Sequence, residues 1–252
     1  MTLFYIFSVT FISSLISLLG SFFLARKKEW PKKFILQLTS FASGVLLATA
    51  LLHLAPEAVE TLDAKIVFTV IFISIIVFFV LERLMLWHHH HEEDDCCDPH
   101  PSAWFITFGD SIHNFLDGVL IAGAFLVNPS LGLLTAFAVS AHEIPQEIAD
   151  FSIMVAGGME RKKALLLNLI SAMSAVVGAL VTYFFAFSIE GISPYLIAFS
   201  AGMFLYIALS DLIPQLHNHG ISDSKQKWNQ MALFFIGVTI IAGISFFIPE
   251  VH

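Results

Sequence analysis

Stretches of about 20 apolar residues, the length that crosses a hydrocarbon core, recur along this chain at 3–24, 34–54, 64–86, 103–127, 131–156, 162–186, 194–214 and 230–248. Backbone polar groups in hydrocarbon must find their partners within the protein, which leaves helices as the solution for segments of this length. Eight such stretches therefore predict an all-α polytopic membrane protein with eight transmembrane helices. Hydrophobic residues make up 57% of the chain and charged residues 13%, too little polar surface for a soluble domain. Short connections, several marked by Pro or Gly, predict a single transmembrane domain over residues 1–252 without an internal repeat. The basic residues follow the first apolar run instead of preceding it, so that run is expected to be a span and not a cleaved signal.

The placement of positive charge orients the bundle. Arg26, Lys27, Lys28, Lys32 and Lys33 lie between the first and second spans, Arg161, Lys162 and Lys163 between the fifth and sixth, and Lys225 and Lys227 between the seventh and eighth. Arg83 closes the third span, and only Lys65 falls in a loop of the opposite set. Cytoplasmic loops accumulate Lys and Arg, so both termini are predicted to lie outside. The loop at 87–101, WHHHHEEDDCCDPHP, is then cytosolic. Its His88, His89, His90, His91, Cys96 and Cys97 are borderline-soft ligands suited to zinc, which makes the loop a metal collector or sensor. Adjacent cysteines give no disulfide framework. The net charge of −8 comes mostly from short loops and points to no nucleic-acid partner. Short loops point to a prokaryotic cell (inner) membrane.

Two polar clusters break the apolar pattern. In the fourth span Asp110, His113, Asn114 and Asp117 follow i, i+3, i+4, i+7 spacing; in the fifth, His142, Glu143, Gln146, Glu147 and Asp150 again form one stripe. An Asp at the bilayer centre costs about 2.5–3.5 kcal/mol by insertion scales. Interhelical hydrogen bonding accounts for one Asn or His alone. Two matched stripes instead predict a shared centre of water, a cation or both, between the fourth and fifth helices. Imidazole with carboxylate and amide oxygen suits a divalent transition metal, and the spans hold no thiolate that would favour copper(I). Pro145, lacking an N–H, leaves the Ala141 carbonyl without its helical donor beside these ligands. His142-Glu143 also opens like a zincin motif, but that motif needs His at i+4 and Gln146 stands there, so no enzyme is expected.

HNFLDG (His113, Asn114, Asp117, Gly118) and HEIPQEIADF (His142, Glu143, Pro145, Gln146, Glu147, Asp150) resemble the signature motifs of the ZIP family of zinc and iron transporter-like proteins. FASGVLLATALLHLAPEA in the second span and FSAGMFLYIALSDLIPQL in the seventh are similar too. The nearest likeness is to the subfamily whose fifth-helix motif begins His-Glu-x-Pro. The resemblance implies import of a divalent metal into the cytosol, chiefly Zn2+, with Fe2+, Mn2+ and Cd2+ as further ions. It implies a site of His113, Asn114, Asp117, His142, Glu143 and Gln146, with Glu147 beside them. Some members hold a second metal. Here a neutral Gln146 is a poorer bridge between cations, and the sixth span offers Asn168 and Ser171 but no carboxylate, so one firm position is expected and at most a weak second. The family implies an elevator in which the first, fourth, fifth and sixth helices move against the rest, often in a homodimer within the lipid bilayer.

The remaining polar residues are placed along a path. His53 and Glu57, beside Pro56, mark an entrance, while Asp110, Asp150, Asp211 and Glu82 mark an exit with His217 and His219 beyond. Two alternatives share this sequence: a passive metal channel of the same fold, and a membrane-anchored metal sensor or storage protein working through its His-rich loop.

Overall fold

The computed structural model describes residues 2–26, 32–90, 100–156, 158–186, 191–218 and 224–247. Eight helical rods run through these residues: α1 (Thr2–Arg26), α2 (Lys32–Thr49, continued by Ala50–Leu54 and Ala55–Thr61), α3 (Ala64–His90), α4 (His100–Val127), α5 (Pro129–Ala156), α6 (Arg161–Ala186), α7 (Ser193–Tyr206, continued by Ile207–Leu212 and Ile213–Asn218) and α8 (Ser224–Phe247). Seven are long and apolar enough to cross a membrane; α5, which carries Glu143, Glu147 and Asp150, is the eighth. No strand occurs among the described residues.

Several ends differ from those expected. α2 runs on to Thr61 instead of stopping near residue 54, and α8 begins at Ser224 instead of 230. α3 continues through His90 and α4 starts at His100, so His88–His90 and His100–Pro101 of the expected 87–101 loop belong to helices. His91, Cys96 and Cys97 lie outside the described residues, and so do His219 and the side chains of His88–His90 and His217. Hydropathy ends a span where polar residues begin, whereas a helix continues as long as its backbone bonds do.

Two rods share an irregularity. Ala50–Leu54 and Ile207–Leu212 are π-helical turns, each ending two residues before a proline, Pro56 and Pro214. A proline removes one i→i−4 bond and crowds that carbonyl; a wider i→i+5 turn just upstream accommodates both.

Side-chain hydrogen bonds sort the helices into three groups. α1, α4, α5 and α6 are tied by Ser14 Oγ to the Ala172 carbonyl (3.0 Å), Ser13 to Ser140 (2.7 Å) and Ser174 Oγ to the Ser111 carbonyl (2.6 Å). α2 and α8 are tied by Ser40 Oγ to the Gln230 carbonyl (2.6 Å), and α3 and α7 by Ser74 Oγ to the Phe199 carbonyl (2.7 Å) and by the Tyr206 hydroxyl to Glu82. Among the described residues, one side-chain hydrogen bond joins the first group to the rest, from Asn128 Nδ2 to Glu57 Oε1 (3.1 Å). Asn128 also caps α5, its Oδ1 accepting from the Leu131 N–H (2.7 Å).

Glycines hold three pairs of rods at backbone contact, one of them α7 to α3 through Gly202 against the Ile71 carbonyl. A Cβ on Gly118 would strike the Ala175 carbonyl and one on Gly178 the Phe115 carbonyl, joining α4 to α6; Gly44 against Phe234 and Gly237 against Phe41 join α2 to α8 in the same way. In lipid, such small-residue contacts replace the hydrophobic drive as the source of helix association. Gly118→Ala is expected to lower the thermal stability of the purified protein by about 1–3 kcal/mol. Gly243→Ala, where a Cβ meets nothing within 4 Å, should leave the melting curve in place. Equal curves for the two variants would contradict this packing.

Candidate metal centre

The short turn at Asn128 makes α4 and α5 antiparallel neighbours, which sets their polar stripes against each other. Four side chains converge. His142 Nε2 lies 3.3 Å from Asp117 Oδ2 and 3.4 Å from Glu143 Oε1; His113 Nε2 lies 3.5 Å from Glu143 Oε1, 3.9 Å from Asp117 Oδ2 and 3.3 Å from His142 Nε2. A tetrahedron with bonds of about 2.0–2.1 Å to nitrogen and oxygen has edges of about 3.3–3.4 Å. Four of its six edges are thus already near that length, and the His113–Asp117 edge is longer, at 3.9 Å.

Local bonding prepares these atoms. His142 Nδ1 donates to the Ala138 carbonyl at 3.2 Å, which leaves Nε2 as the lone-pair nitrogen facing the cluster. Both side-chain oxygens of Asp117 and of Glu143 are buried without a hydrogen-bond partner. Buried polar groups are almost always satisfied, so two orphaned carboxylates beside two imidazoles call for a cation. Asp117 and His142 are fully enclosed, and His113 is 19% exposed, the most open of the four. From α7, Phe204 meets His142 edge to face, centroids 6.1 Å apart at 67°, and puts an apolar side chain beside the cluster.

A second group adjoins the first. Ligand oxygens of Asp110, Glu143 and Glu147 lie within 4.8 Å of one another, all three residues buried, and Glu143 belongs to both groups. Neither side-chain oxygen of Glu147 accepts a hydrogen bond. Asn114 and Gln146, expected as ligands of the first site, turn their amide nitrogens to Asp110: Asn114 Nδ2 donates to the Asp110 carbonyl and Oδ1 (both 3.1 Å), and Gln146 Nε2 to the same Oδ1 (3.2 Å). These N–H groups hold a carboxylate in place, and the amide oxygens are the atoms each could offer a cation. Asp110, expected on the exit path, instead stands in the second group.

The other path residues belong to neither the four-residue nor the three-residue group. His53 Nε2 meets the Ile241 carbonyl at 3.2 Å, and Glu57 accepts the bond from Asn128. Asp150 is half-buried three residues beyond Glu147, and Asp211 lies in the second π-helical turn, its side chain outside what is described. Phe204 went unremarked in the sequence because an apolar residue in an apolar span carries no signal of what it abuts.

A family model described as ZIP Zinc transporter matches residues 1–102 and 87–245, nearly the whole chain. The chain belongs to the ZIP family. Zinc transporter ZIP6 of Homo sapiens is 38% identical over 147 residues, covering 58% of this chain and 20% of that protein. Zinc transporter ZIP10 of Homo sapiens is 40% identical over 124 residues (49% of this chain, 15% of that protein), and zinc transporter ZIP4 of Mus musculus is 41% identical over 115 residues (46% and 17%). This ZIP chain therefore spans a fifth or less of the length of these relatives. Its membership and its membrane-crossing helices make it a polytopic membrane protein, and the family is one of transporters, not enzymes.

Asp117→Asn keeps the side-chain shape and removes one anion from the first cluster. Isothermal titration of the purified protein with Zn2+ should show affinity lowered by at least the ~10–100-fold that loss of a ligand's outer support costs. Unchanged affinity would remove Asp117 from the site.

Proposed function

We propose that this protein imports divalent metal, chiefly Zn2+, into the cytosol through the cluster of His113, Asp117, His142 and Glu143. The observation that carries the reading is the set of near-tetrahedral spacings among two imidazole nitrogens and two orphaned carboxylate oxygens. Mixed nitrogen and oxygen donors bind zinc without the closed thiolate cage of a structural site, and an ion that must leave again needs such a site. Named relatives that are zinc transporters support the choice of ion; Fe2+, Mn2+ and Cd2+ suit the same donors. Asp110, Glu143 and Glu147 offer a second, all-oxygen position.

A carrier is favoured over a passive channel by two observations. The first cluster is closed in by protein on most sides, and among the described residues side-chain hydrogen bonds tie α1, α4, α5 and α6 to one another, α2 to α8 and α3 to α7, with one bond between the first set and the rest. Such a division suits the first set carrying the metal past the others. The basic residues at 26–33, 161–163 and 225–227 support a cytosolic position for those loops, with both termini outside, and a cell membrane accommodates the short loops. Residues 88–91 then act on the cytosolic side as collector or sensor.

The test is Zn2+ entry into liposomes containing the purified protein, read with an internal fluorescent indicator and repeated with Fe2+, Mn2+ and Cd2+ as competitors. Saturable entry, lost in His142→Ala and retained when residues 88–91 are deleted, is the expected result. Entry equal to that of empty liposomes would overturn the transport reading, and full activity in His142→Ala would overturn the site.

A further inference from the structure

α1 supplies none of the residues of either carboxylate cluster, yet one of its side chains acts on Glu147. Serines on a membrane helix commonly return their hydroxyl to the preceding turn, as Ser17 does to the Ser14 carbonyl. Ser21 does not: its Oγ crosses to the main-chain carbonyl of Glu147 at 2.8 Å. From α6, Asn168 Nδ2 donates to the same carbonyl at 3.0 Å and reaches Ser21 Oγ at 3.3 Å. Ser21, Asn168 and Glu147 are all buried, none more than 1% exposed. Three helices thus meet on one carbonyl, two residues after Pro145, where the backbone already lacks a donor. The side chain of that same residue ends in two oxygens without hydrogen bonds. Its neighbour Asp110 is steadied by Asn114 and Gln146; Glu147 is steadied through its backbone.

We propose that Ser21 and Asn168 are positioning residues: by fixing the Glu147 main chain from α1 and α6, they set where its carboxylate stands beside Asp110 and Glu143, and so the affinity of that group for a divalent cation. The proposal rests on the metal-transport reading of the adjoining cluster and extends it to two residues that touch no cation themselves. Supports of this kind typically contribute 10–100-fold in metal affinity, because a ligand displaced by even a fraction of an ångström no longer meets its partners.

The experiment pairs Zn2+ titration of the full-length protein in detergent with the concentration dependence of Zn2+ uptake into liposomes. Ser21→Ala and Asn168→Ala are compared with Ser14→Ala, which removes an equally buried α1–α6 bond, to the Ala172 carbonyl, without touching Glu147; Ser21→Thr restores the hydroxyl. The expected result is a KM raised, and binding weakened, about 10-fold in Ser21→Ala and Asn168→Ala, with Ser14→Ala unchanged and Ser21→Thr near the parent. Unchanged binding and KM in Ser21→Ala and Asn168→Ala, or an equal loss in Ser14→Ala, would overturn it, the latter by reducing both serines to general bundle support. Parent protein that binds Zn2+ but moves none would overturn transport alone, since the titration still decides the roles of Ser21 and Asn168. Parent protein that binds no Zn2+ would overturn both.

Discussion

Negative charge in a dry place is the constraint on which the rest of this structure depends. Asp110, Asp117, Glu143 and Glu147 are buried side by side on two helices, and at a separation of 4 Å two like charges repel by about 4 kcal/mol even at an effective dielectric constant of 20. Three of the four have both carboxylate oxygens without a hydrogen-bond donor. Ordinary membrane helices avoid such groups. A divalent cation turns the liability into an attraction, and the imidazoles of His113 and His142 complete a donor set that suits a transition metal better than an alkali ion.

The surroundings serve that arrangement. The Asn128 cap turns the chain tightly enough to lay α5 back along α4. Gly118 and Gly178 let α6 close against α4, and the serines of α1 bind α5 and α6 from the other side. The remaining four helices have their own glycine contacts and bonds, and they touch the metal cluster through an aromatic ring, Phe204 on His142. Among the described residues the side-chain hydrogen bonds therefore stay on either side of the boundary, which packing and one Glu57–Asn128 bond span.

Much of this was legible in the residues, for physical reasons that can be named. The period of hydropathy marks spans because lipid leaves the backbone no other option, and the i, i+3, i+4, i+7 spacing brings His113 and Asp117 to one face, and with α5 antiparallel also to His142 and Glu143. Helix ends were less legible: α2 continues past residue 54 because a π-helical turn absorbs Pro56, a device hydropathy does not register. Ligand type is written in the residue, but rotamer is not. Asn114 and Gln146 have the chemistry of ligands, yet each lies within reach of Asp110, and their N–H donors go to that acceptor. Ser21 is one of four buried serines on α1, and only the fold distinguishes it.

The position of Gly118 carries a consequence for Asp117. Asp117 is attached to the chain one residue before a backbone-to-backbone contact with Ala175, on a helix that cannot withdraw without parting from α6. A carboxylate mounted on so stiff a footing adjusts through its own side-chain torsions, because the main chain that carries it is pinned to its neighbour.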